Sequence, residues 1–438
     1  MKFTILSILL LSLSVFGQTK PNVVFILSDD QAWGDYGFMG SKEVQTPHID
    51  KLAQESLVFK RGYVTSPLCR PSLASMATGL HTHQHRVTGN DVDGRNNRAE
   101  LDKPVQKFFN QQASFIKELV KNGYLAHQSG KWWEGSWKDG GFTHGMTHGD
   151  PKRKGRHGDE GLSIGRKGMK TVTDFIDSAV VKQKPFAIWY APFLPHTPHN
   201  PPERLLKKYQ QEGRGKDAAK YFAMIDWFDE TCGELLDYII TKEQEDNTLV
   251  VYISDNGWKA PSQSDMRIPK NWNQGYAPRS KGSPYENGIR TPIMFKLPRK
   301  IKAEFSDDLA SAVDLFPTIL AACGFDAPKN LPGINLLDTE IRKERKVIFG
   351  AAYSIYNMTV GNPADTRQYR WAITKKWKYL LRDKGSDTTK YKYVHQWDTI
   401  PEHLYDLEKD QGEKLNVVSD FPKATQKLKA KLNNWLSD

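Results

Sequence analysis

The chain has 438 residues, enough to bury a full hydrophobic core and to form two or three domains. Its formal net charge of +11 favours anionic partners, and by charge alone these include polysaccharide, nucleic acid and membrane surfaces. Its three cysteines are too few for a disulfide framework. Cys232 and Cys323 lie in apolar helical patterns and are predicted to be buried free thiols, with a bridge between them as the alternative.

Residues 1–17 have the pattern of a cleaved secretory signal, with one lysine, a short apolar run and a final glycine. The run is too short to span a bilayer stably, and no long apolar stretch follows it. We therefore expect an exported protein, periplasmic or secreted, without a stable membrane anchor.

Three apolar runs are typical of strands that are buried on both faces, and polar residues follow each of them. Open α/β sheets place ligands beyond the carboxyl ends of their strands, so we expect these polar residues to converge. They are Asp29 and Asp30 after residues 23–27, His196 after residues 185–190, and Asp255 and Asn256 after residues 248–253.

Helical patterns lie between the strands, and the pattern changes in the last quarter of the chain. We predict an α/β catalytic domain over residues 18–335, with a large mixed, mostly parallel sheet flanked by helices. A smaller α+β subdomain over residues 336–438 would carry a small antiparallel sheet and a closing helix. The predicted helices cover residues 46–56, 114–122, 221–240 and 422–436; the predicted strands cover residues 123–126, 346–353, 369–374, 377–382 and 403–407; and residues 144–168 form a long functional loop.

Asp29, Asp30, Asp255 and Asn256 supply the oxygen ligands that Ca2+ and Mg2+ prefer, whereas Zn2+ favours imidazole or thiolate. The structural alternative is that the Asp-Asp pair caps a helix and the Asp-Asn-Gly sequence makes a turn. Because both motifs end apolar strands, we predict one metal ion, Ca2+, with Mg2+ as the second choice.

Cys69 opens the sequence Cys-Arg-Pro-Ser-Leu-Ala-Ser-Met-Ala-Thr-Gly, which ends at Gly79. A cysteine followed by x-Pro-Ser and closed by Thr-Gly resembles the signature of type I sulfatases, within the alkaline-phosphatase-like superfamily. The resemblance extends from residues 22–30 to residues 403–410 and is closest in kind to exported bacterial polysaccharide sulfatases. It implies that Cys69 is oxidised to formylglycine (3-oxoalanine) by a formylglycine-generating or equivalent maturation enzyme.

The resemblance also implies the other catalytic groups. Lys131 and Lys281 would clamp the sulfate and the leaving oxygen, and His196 would protonate the departing alcohol. One hydroxyl of the hydrated aldehyde would attack sulfur, and the second would then expel sulfate. The alternatives are a solvated surface charge for each lysine and a loop histidine stiffened by prolines for His196.

Two positions depart from the family pattern. Leu73 stands where the family has an arginine, and Trp133 stands where it has a histidine. Arg70 and Arg86 are candidates for the missing charge. The candidates for the missing imidazole are His81, His83, His85, His144 and His148.

Tryptophans crowd the segment around Lys131, and their ring faces can stack on sugars. We predict substrate contacts from His199, Trp133, His157 and Arg166, with core packing as the alternative for the tryptophans. The predicted function is hydrolysis of sulfate esters on a sulfated polysaccharide or oligosaccharide, with no nucleic-acid partner. The alternatives are a phosphatase or phosphodiesterase of the same superfamily and a non-catalytic binder of sulfated glycans.

Overall fold

The computed structural model describes residues 20–92, 98–153, 157–212, 214–259, 279–354, 358, 362–383 and 400–436. The predicted secretory signal over residues 1–17 lies outside this part of the chain. Among the helices that are described, none has the length and apolar character needed to cross a bilayer.

An eight-stranded sheet with the order β4-β3-β5-β1-β6-β7-β2-β8 forms the centre of the protein. β7 runs antiparallel to its neighbours β6 and β2, and the other pairs are parallel, which confirms the predicted mixed, mostly parallel sheet. The strands are β1 (Asn22–Ser28), β2 (Leu57–Tyr63), β3 (Leu125–Gly130), β4 (His144–Gly145), β5 (Phe186–Ala191), β6 (Thr248–Ser254), β7 (Arg290–Lys296) and β8 (Glu304–Ser311).

Helices cover both faces of this sheet. In β1, Val23 and Phe25 pack into one apolar cluster while Val24 and Ile26 pack into another, because successive side chains of a strand point to opposite faces. The helices are α1 (Pro47–Gln54), α2 (Cys69–Thr78), α3 (Thr82–His85), α4 (Arg98–Asn110), α5 (Phe115–Lys121), α6 (Lys170–Val181), α7 (Glu203–Tyr209), α8 (Lys216–Thr241), α9 (Glu286–Ile289), α10 (Leu315–Ala322), α11 (Thr339–Glu344) and α12 (Pro422–Asn434).

Two elements differ from the sequence-based expectation. β3 runs over Leu125–Gly130 rather than residues 123–126, because its second half pairs with β5 up to Ala191. The predicted loop over residues 144–168 contains β4 and two 3-10 helices, at Pro151–Arg153 and Asp159–Ser163. Elements of two to five residues are too short to give a periodic signal.

The second sheet has four antiparallel strands in the order β12-β11-β10-β9, as predicted for the C-terminal part. Its strands are β9 (Ile348–Tyr353), β10 (Arg367–Ile373), β11 (Trp377–Arg382) and β12 (Glu402–Asp406). α12 packs on this sheet through Leu428 and Leu432.

One buried cation joins the two sheets. Lys378 of β11 is fully buried and binds Glu286 of α9 at 3.3 Å and Glu413 at 2.7 Å. Cys232 and Cys323 are buried free thiols, as predicted.

Candidate active site

The carboxyl ends of β1 and β6 bring the two predicted acidic motifs together. The strands are parallel and in register, and the Asp255 N–H donates to the Ser28 carbonyl at 3.0 Å. The Asp30 N–H donates to Asp255 Oδ1 at 2.9 Å, and Asn256 Nδ2 donates to Asp30 Oδ1 at 2.7 Å. These bonds fix Asp29, Asp30, Asp255 and Asn256 beside one another below the protein surface.

Asp30 has a left-handed backbone conformation, with φ of 67°. A non-glycine residue pays about 1–2 kcal/mol for this conformation, so the surrounding bonds must hold it. Asp255 accepts the Asp30 N–H, and the Tyr221 hydroxyl lies 3.3 Å from the Asp30 carbonyl and 2.8 Å from Asp35 Oδ2. Tyr221 is a positioning residue that the sequence did not reveal, since it lies within the apolar face of α8.

Lys131 follows β3 and is completely buried. Its N–H donates to the Ala191 carbonyl at 2.7 Å, and its Nζ lies 2.6 Å from Asp29 Oδ1 and 3.4 Å from Asp255 Oδ2. Burial favours the neutral amine, but Asp29 together with the other neighbouring acidic groups outweighs it and raises the pKa of Lys131 well above its ordinary value. The Lys131 side chain is therefore a fixed positive charge.

Cys69 is the first residue of α2 and faces Lys281. The Lys281 Nζ lies 2.8 Å from Cys69 Sγ and also bonds Asp30 Oδ1. The Lys281 N–H donates to the Trp258 carbonyl at 2.9 Å, and the next N–H in the chain donates to Pro67, two residues before the cysteine, at 2.8 Å. Burial raises the pKa of the Cys69 thiol to about 11.

His196 lies on the opposite side of Asp30, with its Nε2 3.6 Å from Asp30 Oδ2. Burial lowers the pKa of His196 to about 3, although Asp30 opposes the shift. The Nδ1–H donates to the Thr197 carbonyl at 2.6 Å, because a carbonyl can only accept. The neutral ring therefore presents an unprotonated Nε2 to the site.

The site has oxygen atoms that suit a cation. Among the described residues no hydrogen-bond donor reaches Asp29 Oδ2, Asp30 Oδ2 or Asn256 Oδ1, although all three atoms are buried. Burial raises the pKa of both Asp29 and Asp255 although Lys131 lies beside them, so a cation bound here would favour their ionised forms. Burial would also raise the pKa of Asp30, but Lys281, His196 and Lys131 outweigh it and hold that pKa low. Carboxylate and amide oxygens that lack donors are the ligands of a hard divalent cation.

Leu73 is buried in the apolar core, so the missing family arginine has no polar substitute at that position. Arg70 binds both oxygens of Glu134, at 2.7 and 2.9 Å, and Asp102 Oδ1 at 2.6 Å. Arg86 packs over an aromatic ring at 4.9 Å. Arg70 therefore ties the first turn of α2 to the segment after Lys131. In the sequence, the only indication of the Arg70–Glu134 pair is that Glu134 is an acidic residue within a segment rich in tryptophan.

The predicted stand-ins for the family histidine lie in different places. His81 and His83 pack edge-on against Trp435, at 5.0 and 4.8 Å between ring centroids. His85 Nε2 lies 2.9 Å from Ser75 Oγ. His144 lies 2.8 Å from the preceding threonine hydroxyl, and the His148 N–H bonds Asp159. His196 is the imidazole that the described structure brings closest to the carboxylates and Cys69.

The four predicted substrate contacts surround the loop that carries His196. Trp133 packs edge-on against His157 at 4.9 Å, and His157 lies 5.4 Å from the Phe193 ring. His199 lies 5.6 Å from the Tyr221 ring. Their contact with substrate stays a prediction.

The Arg166 guanidinium donates hydrogen bonds to the same loop, which carries His196. It bonds the Phe193 carbonyl at 3.1 and 2.6 Å, the His196 carbonyl at 3.0 Å and Asn200 Oδ1 at 2.5 Å. These contacts fit a residue that positions the loop, and a direct contact with substrate stays a prediction.

Comparison with known proteins gives a consistent result. The family model described as Sulfatase matches residues 21–325, and the model described as N-sulphoglucosamine sulphohydrolase, C-terminal, matches residues 280–438. Human arylsulfatase A is 26% identical over 469 residues, covering 93% of this chain and 85% of that protein. Human N-acetylgalactosamine-6-sulfatase is 26% identical over 403 residues, covering 82% and 73%. The crystal structure of Ps i-CgsB in complex with k-i-k-neocarrahexaose has a TM-score of 0.73 and 25% identity, covering 95% and 92%.

A mostly parallel α/β sheet with this site at its carboxyl edge, together with these matches, defines a sulfuric ester hydrolase. The chain belongs to the sulfatase family.

Proposed function

We propose that this protein hydrolyses sulfate esters on a sulfated polysaccharide or its oligosaccharides, using formylglycine formed at Cys69 and one Ca2+ ion. The observation that carries the proposal is the meeting of Cys69, Lys131, His196 and Lys281 around the buried carboxylates of Asp29 and Asp30. A passive glycan-binding surface would not require two lysines to be withdrawn from solvent beside three carboxylates, because burying charges is costly even when they are paired and exposed lysines would bind an anion equally well.

Asp29, Asp30 and Asn256 would hold the cation through their three oxygens that lack donors, with Asp255 completing the set. Bound Ca2+ would supply positive charge that neutralises a sulfate oxygen beside the nucleophile. Asp255 also orients the site, because its Oδ1 accepts the Asp30 N–H. The four predicted metal ligands suit this ion, and Mg2+ is the alternative for the same oxygens.

The nucleophile at residue 69 would stand at the start of α2, where the helix dipole favours an anionic sulfate. Hydrated formylglycine would supply one hydroxyl that attacks sulfur while the ester S–O bond breaks, and a second whose deprotonation expels sulfate and restores the aldehyde. Lys281 would hold the attacking oxygen and a sulfate oxygen, since its Nζ already lies 2.8 Å from Cys69 Sγ. Lys131 would stabilise negative charge on the sulfate group, on the same side as Lys281.

His196 would give a proton to the leaving alcohol oxygen, and its resting state sets a condition on this role. With a pKa of about 3, caused mainly by burial, its Nε2 is unprotonated before substrate binds. An anionic sulfate ester placed beside Nε2 would raise that pKa and favour the protonated ring. Arg166 would keep the ring in place through the Phe193 and His196 carbonyls.

The glycan part of the proposal rests on the surroundings and on the relatives. Trp133, His157 and His199 lie around the His196 loop, and a basic chain suits a polyanionic substrate. One relative is named as an N-acetylgalactosamine-6-sulfatase, and one solved relative holds a carrahexaose. We propose export to the periplasm or medium from the leader at residues 1–17, and maturation by a formylglycine-generating enzyme.

Two measurements test this function. Peptide mass spectrometry of protein from a host with the maturation enzyme should find formylglycine at residue 69, and a wholly unmodified thiol would overturn that mechanism. Sulfate release should be measured on a panel of sulfated glycans beside phosphate release from phosphodiesters. Cys69→Ala should lower sulfate release by about 1000-fold or more, while the control Cys232→Ala, a buried thiol on α8, should retain it. Activity on phosphodiesters alone would refute the proposed class of substrate.

A further inference from the structure

Four potential ligand atoms of three chemical kinds meet beside α2. Cys69 Sγ, His196 Nε2 and one carboxylate oxygen each from Asp29 and Asp30 all lie within 4.8 Å of one another. Thiolate and imidazole are ligands that Zn2+ favours, whereas the predicted Ca2+ set contains oxygens only. Before residue 69 is modified, the site therefore offers a different metal chemistry from that of the mature enzyme.

The His196 ring is already oriented as a metal ligand. Its Nδ1–H donates to the Thr197 carbonyl at 2.6 Å, which leaves the Nε2 lone pair directed towards Asp30 Oδ2 at 3.6 Å. Metal-binding histidines commonly donate their other N–H to a backbone carbonyl in this way, because that bond fixes the tautomer. The Phe193 ring stacks on the imidazole at 4.0 Å and restrains its rotation.

The spacing of the donors suits a small tetrahedral ion. Bond lengths of about 2.0 Å to N or O and about 2.3 Å to S give ligand separations of roughly 3.3–3.8 Å in a tetrahedron. Asp30 Oδ2 lies 3.6 Å from His196 Nε2, and Asp30 Oδ1 lies 4.0 Å from Cys69 Sγ. These two distances involve different oxygens of Asp30, and the four atoms as a set lie within 4.8 Å of one another, so movements of up to about 1 Å would bring them to tetrahedral separations.

The two carboxylates and the neighbouring lysine also favour binding of a divalent metal ion. Asp29 Oδ2 and Asp30 Oδ2 are buried and receive no hydrogen bond from any described residue. Lys281 Nζ lies 2.8 Å from Cys69 Sγ and would stabilise the sulfur as a thiolate. Two carboxylates, one thiolate and one neutral imidazole carry enough negative charge for a divalent ion.

We propose that the chain with an unmodified Cys69 binds one Zn2+ ion through Cys69 Sγ, His196 Nε2 and the carboxylates of Asp29 and Asp30. Binding forms the Zn–S bond and releases the thiol proton to solvent. Conversion of Cys69 replaces the soft sulfur by oxygen, so it changes the preference of the site from Zn2+ towards hard cations such as Ca2+. The zinc form concerns the thiol protein and stands apart from the proposed sulfatase activity.

The test uses full-length protein made without a maturation enzyme, freed of metal, with cysteine at residue 69 verified by peptide mass. Co2+ serves as the spectroscopic probe for the Zn2+ site. We expect one equivalent of Co2+ to give a sulfur-to-cobalt charge-transfer absorption with the intense visible bands of a tetrahedral ion, and Zn2+ to displace it. The Cys232→Ser and Cys323→Ser controls should keep these bands, because both thiols lie on other elements.

Cys69→Ser should lose the charge-transfer band. Loss of outer-shell partners alone costs about 10–100-fold in metal affinity, so loss of the sulfur ligand should weaken Zn2+ binding by more than about 100-fold. X-ray absorption of the zinc-loaded thiol protein, which needs no variant, should find one sulfur at about 2.3 Å from zinc. A sulfur-to-cobalt charge-transfer band that persists in Cys69→Ser would overturn the proposal. So would an X-ray absorption spectrum in which zinc has only N and O neighbours. Either result would do so whatever the outcome for sulfate release.

Discussion

Gly130 is the last residue of β3 and directly precedes Lys131, for which we propose a catalytic role, so replacing Gly130 with alanine tests the geometry of the site. Gly130 has φ of 89°, and an added Cβ would lie 1.9 Å from the Ala191 carbonyl oxygen and 2.2 Å from its carbon. Gly123 has nearly the same φ, 90°, but a Cβ there would meet nothing within 4 Å. Gly123→Ala is therefore a matched control that pays the backbone cost without the steric cost.

The expected loss in the free energy of unfolding can be estimated from the contacts that an added Cβ would disturb. Each alanine pays about 1–2 kcal/mol for the left-handed conformation. At Gly130 the neighbouring backbone must also retreat by more than about 1 Å merely to reach 3.0 Å, because real Cβ atoms essentially never approach more closely than that. Overpacking costs about 1–3 kcal/mol, and stretching the buried Lys131 N–H bond to Ala191 costs about 1–3 kcal/mol more. We expect Gly130→Ala to lose roughly 3–8 kcal/mol and Gly123→Ala about 1–2 kcal/mol.

The assay combines urea unfolding with kcat/KM for sulfate release, expressed per formylglycine. A displacement of about 1 Å at Lys131 should lower kcat/KM by about 100-fold in Gly130→Ala, while Gly123→Ala should stay within about twofold of the wild type. If the two variants were equally stable and equally active, the close approach of β3 to Ala191 would not constrain the site, and the reasoning would fail.

Three further predictions concern buried charges, all measured as free energies of unfolding in urea. Glu134→Gln removes a carboxylate that a buried guanidinium binds twice, and should cost about 3 kcal/mol; a loss below about 1 kcal/mol would contradict a structural pair. Lys378→Met, which strands two buried acids, should cost about 3–5 kcal/mol, whereas the half-exposed neighbour Lys376→Met should cost less than about 1 kcal/mol. Burial raises the pKa of Asp229 to about 7, above its value in the unfolded chain. The stability that this carboxyl group contributes is therefore fully present below about pH 4 and is lost as the pH rises through about 7. Relative to Asp229→Asn, wild-type stability should fall by about 4 kcal/mol between about pH 4 and pH 8, and a flat difference would refute the shift.

The sequence was sufficient to predict the sheet and the residues at its edge. Continuous apolar runs such as residues 23–27 are long enough to indicate buried strands, and the Asp29-Asp30 pair follows such a run directly. The two-residue β4 and the extension of β3 to Gly130 depend on pairing with strands far away in the chain, so no local pattern indicates them. The left-handed backbone of Asp30 and its support by Tyr221 arise from tertiary contacts in the same way.

The departure from the family pattern at Leu73 has a physical consequence. Leu73 lies in the apolar core and Arg70 is held by Glu134, so neither brings charge to the nucleophile. Within the part of the chain that the structure describes, the positive charges that act on Cys69 come from Lys131 and Lys281. Lys131 is buried and Lys281 partly so, and both are held charged by the carboxylates of the proposed metal site. The proposed nucleophile and the proposed metal ligands thus interact with the same two lysines, so we expect a change at any of these carboxylates to alter both metal binding and sulfate release.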